Sequence, residues 1–282
     1  MVISLVKRNL KCYFRDKASV FFSMLGVIII ISLYLLFLRN LIKSSSEAIA
    51  GESARFLMDS WIMGGVIAAS TITTTLGAFG IMVQDQQTKI MRDFKSSPIK
   101  RWQLVLSYVI SSMLIGAFMS IFTLVLAEAY ISIDGNLLSF TAFLKVLGYM
   151  LLSVTASSAI VFFFINFVKS NNAYSAVATV VGTIVGFLTG VYIPIGDLPA
   201  GIQTVIKFFP PSHAAVLLRQ VMMNEVIPIG NLPMEFKLFL GVNLEVNGVV
   251  LSNMFHIMVL VLTAIVFFAL SLLVVSTRKE KE

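Results

Sequence analysis

The chain has 282 residues, 58% of them apolar and only 12% charged, against about 25% charged in an ordinary soluble domain. At a mean hydropathy of +0.93 it lacks the polar surface to cover a water-soluble globule, whereas a bilayer solvates apolar side chains directly. Its net charge of +7 needs sorting by membrane side rather than assignment to nucleic acid, and a single Cys12 excludes an intrachain disulfide and a thiolate metal site.

From Met1 to Lys17, Ile3, Val6, Leu10 and Tyr13 recur at helical spacing, while Lys7, Lys11 and Arg15 align at i, i+4, i+8. This pattern predicts an amphipathic helix lying on a membrane surface, as a basic anchor or as a helix that also touches a cytoplasmic partner. Six nearly charge-free runs follow, at 18–38, 61–83, 102–127, 146–168, 173–195 and 254–276. Each is long enough to cross a hydrocarbon core, so the expected fold is an all-α integral membrane protein with six transmembrane helices. Trp61 and Trp102 sit at run ends, where interface anchors belong.

Assigning the termini, 84–101 and 169–172 to one side collects 14 basic and 5 acidic residues there, leaving 7 basic and 9 acidic on the other. The split of +9 against −2 places both termini in the cytoplasm of a multi-pass plasma-membrane protein. The cytoplasmic segment 84–101 carries Asp85, Lys89, Arg92 and Lys95, with Ile90, Met91 and Phe94 on one helical face. It predicts a short helix ending near Ser96, with Pro98 in the first turn of the third span from about Ile99; the segment is either a solvated basic loop against anionic lipid head groups or a helix whose apolar face a partner protein buries.

Within the runs, Ser70, Thr71 and Thr74 belong to a hydroxyl-rich turn that lines a cavity or bonds back to helix carbonyls. Gly182, Gly186 and Gly190 form a small-residue stripe suited to close helix packing. Between the fifth and sixth runs, Pro194, Pro199, Pro210 and Pro211 punctuate two apolar stretches too short to span, which predicts re-entrant or interfacial helices followed by an exposed loop over 225–252. The only ionisable group in the runs is His256, expected as a hydrogen-bonded interfacial residue, and Glu128 as a solvated boundary residue. No glycine is followed by lysine, so a phosphate-cradling G-x-x-x-x-G-K loop is missing, and no catalytic or metal motif stands in its place.

Three segments carry a resemblance to a known family. The run from Gly190 through Pro194 and Leu198 to Pro199, continued by Phe209 to Ala214 and Leu218-Arg219, is one. Lys95 to Trp102 and Phe14 to Lys17 are the others. Together they resemble the permease subunit of an ATP-binding-cassette exporter of the ABC-2 type, over essentially the whole chain. The resemblance implies an N-terminal elbow helix bearing Lys7, Lys11 and Arg15. It implies a coupling helix within 84–97 that seats in a separate ATPase, and re-entrant helices within 196–253. Family members often carry a Glu-rich stretch and Gly-Thr where this chain has Asp85 as the sole acid before Thr88. It also implies two ATP-binding subunits that hold the ATP and Mg, a second permease copy and surrounding membrane lipid. Uncharged spans then favour apolar or amphipathic cargo such as drugs, antimicrobial peptides or lipids. A lipid-linked glycan exporter and a membrane sensor coupled to an ATPase stand as alternatives.

Overall fold

A computed structural model describes residues 1–34, 36, 51–97, 99–132 and 137–277. Eleven α-helices occur among them: α1 (Val2–Arg15), α2 (Lys17–Leu33), α3 (Ala54–Gln87), α4 (Ile90–Ser96), α5 (Arg101–Ile131), α6 (Phe140–Ile165), α7 (Asn171–Leu188), α8 (Ala200–Phe208), α9 (Pro210–Asn224), α10 (Met234–Phe239) and α11 (Asn253–Thr277). A two-residue antiparallel ladder pairs β1 (Glu245–Val246) with β2 (Val249–Val250). Asn247 and Gly248 turn it with positive φ, the conformation a two-residue hairpin loop needs. The chain is thus an all-α protein in which α3, α5, α6, α7 and α11 are each long and apolar enough to cross a membrane. A sixth crossing exists if α1 and the Val20–Leu33 part of α2, which meet at a 61° bend, count as one broken span. Leu35, Phe37 and Leu38 of the first expected span, and Pro98, lie outside the described residues.

The central column is α3, at 34 residues about 51 Å long. It outruns the expected 61–83 at both ends, and the extensions bring Asp59 and Asp85 into the helix, both buried. Asp59 accepts from the Tyr34 hydroxyl at 2.8 Å and the Tyr130 hydroxyl at 3.3 Å, tying α2 and α5 to that end of α3. The hydroxyl-rich turn serves packing. Ser70, Thr71 and Thr74 are fully buried, and Thr71 Oγ1 lies 2.8 Å from Ser153 Oγ on α6. Ser112 on α5 meets Ser158 on α6 at 2.7 Å. Ser70, Thr71, Thr74 and Ser112 each also donate to a carbonyl of their own helix, as with Thr74 to Ser70 at 2.7 Å. Hydroxyls in pairs satisfy one another away from water, so three helices approach closely without an orphan donor.

The chain between α7 and α11 departs from expectation. Span five ends at Leu188, not Ile195, because Gly190 turns with a φ of 66°. Gly190 therefore lies off the helix and the three glycines do not make one helical stripe: Gly182 faces open space, and a Cβ at Gly186 would run into the Tyr192 ring. The four prolines start elements. Pro194 precedes the 3-10 turn Ile195–Asp197, Pro199 caps α8, and Pro210 and Pro211 fill the first turn of α9, where the missing N–H costs nothing. α8 exposes Ile202, Val205 and Phe208, as an interfacial helix does. α9 is buried from Pro211 to Arg219 and packs among α3, α6 and α11, so it re-enters the helix bundle itself. Nor is 225–252 an exposed loop throughout, since Leu232, Lys237, Leu240, Val242 and Leu244 are buried.

Arg219 explains that burial. Although it stands within an apolar stretch of sequence, it is fully buried. Its Nε donates to the Trp61 carbonyl at 3.2 Å, Nη2 to Gly190 at 2.9 Å, and Nη1 to Leu240 and Gly241, both at 3.4 Å. The guanidinium also covers the Trp61 ring, 4.7 Å from its centroid, while Trp61 Nε1 donates to the Leu240 carbonyl at 2.7 Å. Trp61 is therefore a core residue and not an interface anchor, whereas Trp102 is 56% exposed. Glycines make room: a Cβ at Gly64 would come 2.9 Å from the Arg219 backbone nitrogen, and one at Gly65 2.7 Å from Nη2. Next to this clamp, His213 Nε2 faces the Lys207 carbonyl at 3.0 Å and so donates to it. Its Nδ1 then accepts from His256 Nδ1 at 2.7 Å, joining α9 to α11. His256 is hydrogen-bonded as expected, and it is buried within the bundle near the start of α11. Glu128 is half-buried, with one oxygen accepting from the Leu138 amide at 3.1 Å.

Replacing Arg219 by Met removes the guanidinium from its four carbonyls and leaves those of Gly190 and Gly241 without a side-chain donor, while Leu240 keeps Trp61 Nε1; the expected loss is about 3–5 kcal/mol, read as a lowered Tm of the purified protein. Gly65→Ala should cost about 1–3 kcal/mol by overpacking. Gly148→Ala, where a Cβ meets nothing within 4 Å, should be neutral or stabilising in a helix interior. Equal losses at Gly65 and Gly148 would contradict the cradle.

Candidate functional site

The other end of α3 gathers the segments that the sequence marks for partner contact. α1 buries Leu5, Val6, Asn9 and Tyr13 and packs mainly on α5, with Phe14 edge-on to Phe118 at 5.2 Å between centroids. That leaves Lys7, Lys11 and Arg15 exposed on one side. α3 stops at Gln87, Lys89 adopts a φ of 63°, and α4 begins. The left-handed residue breaks the helix and sets α4 off on a new direction. A capping exchange between Lys100 and Gln103 then starts α5.

Arg8 joins these pieces. Its Nη2 donates to Asp85 Oδ1 at 2.7 Å and its Nη1 to Asp85 Oδ2, a bidentate pair. Tyr108 on α5 donates to Asp85 Oδ2 at 2.6 Å, and the Arg8 guanidinium sits 5.7 Å from the Phe94 ring centroid on α4, within cation–π range. One ion pair therefore links α1, α3, α4 and α5. The hydrogen bonds to Asp85 raise the Arg8 pKa further above its ordinary value, so the guanidinium stays charged. Asp85 is 2% exposed and both its oxygens are taken inside the chain, which turns it away from any docking surface. Of the remaining coupling residues, Lys89 is exposed, Ile90, Met91 and Phe94 are half-buried, and Arg92 and Lys95 lie on the α4 backbone. Met91 and Phe94 pack against the core around Leu104 and Tyr108.

α7 attaches to the same end of α3 through few bonds. The Asn171 amide donates to Gln87 Oε1 at 2.8 Å, and the Tyr174 hydroxyl donates to the Leu76 carbonyl at 2.9 Å. Gly80 admits the Tyr174 ring, since a Cβ there would lie 3.0 Å from its hydroxyl. Otherwise α7 is the least buried of the five long helices, with 11% of its apolar window inside the structure, and the least apolar, with a hydropathy of 1.2. Asn172, Ser175, Thr179 and Thr183 are exposed in line along it. No group of three metal-ligating side chains occurs among the described residues.

Sequence reasoning missed Arg8, Tyr108 and Arg219. Arg8 stands beside the Lys7, Lys11 and Arg15 stripe rather than on it, and that offset was the available signal. For Arg219 the signal was an arginine inside an apolar run, which is retained at membrane depth only when it is bonded.

A family model described as ABC-2 type transporter matches residues 2–223. The match takes in α1 to α9 up to Met223, and the chain belongs to that family. It is a multi-pass membrane protein and the transmembrane permease component of an ABC transporter, a family that generally works with an ATP-binding subunit. No curated protein matches the chain.

The Arg8 pair yields a test of its own. Asp85→Leu strands a guanidinium whose side chain is 30% exposed, so the expected loss is about 1–3 kcal/mol, less than for a fully buried pair. Arg8→Met with Asp85→Leu should recover part of it. Thermal unfolding in which the double variant loses the sum of both singles would contradict the pairing.

Proposed function

We propose that the chain is one half of an ATP-driven exporter that moves apolar or amphipathic cargo between α3 and α7 of two copies. The observation that carries this reading is the contrast between two weakly buried helices. α11 has a hydropathy of 3.0 and is 22% buried, while α7 has a hydropathy of 1.2 and is 11% buried. Lipid suits the exposed face of α11, but a row of Asn172, Ser175, Thr179 and Thr183 does not belong in hydrocarbon. Thr179 and Thr183 each donate to the carbonyl four residues back at 2.9 Å, which leaves hydroxyl lone pairs facing outward. A second copy, or a hydrated path between copies, is the environment that satisfies them.

In this reading α1 is the elbow helix, α4 is the coupling helix, and both termini are cytoplasmic. ATP and Mg bind two separate ATPase subunits, whose contacts with this chain are Lys89, Ile90, Met91, Arg92, Phe94 and Lys95 on or beside α4, with Lys7, Lys11 and Arg15 nearby. ATP binding drives the ATPases together. The displacement of α4 passes through Phe94 and Arg8 into α3 and changes the opening between the two halves. The buried side chains Ser70, Thr71 and Thr74 act in packing α3 against α5 and α6, and Pro194, Pro199, Pro210 and Pro211 shape the exit side.

The single cysteine makes the seam testable. In a Cys12→Ser background, oxidation of membranes carrying Thr179→Cys should give a crosslinked dimer, and Val266→Cys, exposed on α11, should not. The reverse pattern would sink the α7 seam. Phe94→Ala should reduce co-purification of the ATPase subunit about tenfold while the permease remains in the membrane.

A further inference from the structure

A cavity of about 970 Å³ opens between α1, the Asp85 end of α3 and the start of α7. Its wall on the α1 side carries Lys7, Arg8, Lys11 and Arg15, against two carboxylates, Asp16 and Asp85. Arg8 and Asp85 neutralise each other in their bidentate pair. Lys7, Lys11 and Arg15 are exposed into it without an ion-pair partner among the described residues. Their i, i+4, i+8 spacing sets the three cations about 6 Å apart along one line. Four cations against two carboxylates leave two positive charges in excess, facing a wall that also contains Ile81 and Tyr13.

We infer that this cavity binds the phosphate-bearing head of an anionic amphiphile. A phosphate monoester carries about −1.5 to −2 charges near neutral pH, which matches the excess, and offers oxygens to several amines and a guanidinium together. A carboxylate carries half that charge. The mixed wall suits a molecule whose head is charged and whose remainder is apolar, and the cavity lies where α1, read as the interfacial elbow helix, meets two helices of membrane-crossing length, and interfacial helices lie beside lipid head groups. This deepens the proposed function, on which it rests for its meaning as an entrance. The uncharged spans argue against a free anion crossing, but an amphiphile held by its head at the rim presents its apolar part to α3 and α7.

The test uses the full-length permease in neutral detergent, with thermal unfolding followed during titration of dioctanoyl phosphatidic acid, dioctanoyl phosphatidylcholine and inorganic pyrophosphate. Phosphatidic acid should raise Tm saturably and phosphatidylcholine should not. The variant K7Q/K11Q/R15Q should bind phosphatidic acid at least tenfold more weakly, single variants about threefold, and K145Q with wild-type affinity. Pyrophosphate that matches phosphatidic acid identifies phosphate alone as the ligand; pyrophosphate that fails to compete identifies the amphiphile. No saturable shift in the wild type, or unchanged affinity in the triple variant, overturns the inference. So does a triple variant that loses only the ATPase subunit, since the cations then serve docking. Binding is read without transport, so a permease that binds phosphatidic acid and carries no cargo would fail the proposed function and leave this site standing.

Discussion

A guanidinium withdrawn from water needs acceptors on every side, and the four carbonyls around Arg219 come from three separate places in the chain: Trp61 in α3, Gly190 after α7, and Leu240 and Gly241 after α10. No carboxylate among the described residues shares the load. Burial of an unpaired charge is costly, so the arrangement persists only if those carbonyls are held at the right places. Three of the four belong to chain ends that a helix would otherwise leave with unsatisfied acceptors. The arginine and the loop carbonyls thus remove each other's deficit, and the segment after α9 folds onto the bundle instead of into solvent. Gly64, Gly65, Gly190 and Gly241 are the spatial condition for this. At two of them a Cβ would meet the arginine within 3 Å, and the other two have φ values of 66° and 65°, which only glycine adopts without strain.

Membrane helices have little hydrophobic reason to prefer one another over lipid, so polar contacts and close backbone approach decide which pair up. α3 illustrates both. Its hydroxyls meet those of α5 and α6 in the middle, Asp59 collects two tyrosines at one end, and Asp85 collects an arginine and a tyrosine at the other. α11, by contrast, joins the bundle by packing against α6 and α9 and through the His213 and His256 bond, and its remaining surface is apolar. The sorting of helices into a column, its neighbours and a lipid-facing member follows from where polar groups occur along them.

Composition alone excludes a soluble fold, and charge-free runs mark the five long helices to within a few residues at most ends. What pattern could not supply is which polar residues bond to each other across the chain. Asp85 belongs to a charged segment in sequence, yet its position two residues past an apolar run let the helix continue through it, and Arg8, 77 residues away, turned it inward. Trp61 looked like an anchor because it sits at a run boundary, and the helix simply extends seven residues beyond that boundary. The apolar run through Ile195 overstated span five because hydropathy does not register that Gly190 turns with a positive φ. The two short helices α8 and α9 were legible from proline spacing, whereas the depth of α9 in the bundle depends on Arg219, whose partners lie in three other segments.

The two arginines also divide the molecule mechanically. At one end of α3 the clamp joins α3, α9 and the segment after α10 into a block of carbonyl bonds, while at the other end Arg8 and Asp85 join α3 to α1, α4 and α5. Between them α3 is an unbroken helix whose Ser70 and Thr71 hydroxyls meet those of α5 and α6, so the two ends are joined by one rod without a hinge. α7 differs, since among the described residues its polar ties to α3 are one amide to Gln87 and one hydroxyl to Leu76, beside packing of Tyr174 at Gly80. Elements that move against the rest are drawn from those with few buried contacts. On that ground α7, with few polar ties to α3 and carrying the polar row, is the long helix whose position relative to α3 changes at the lowest cost.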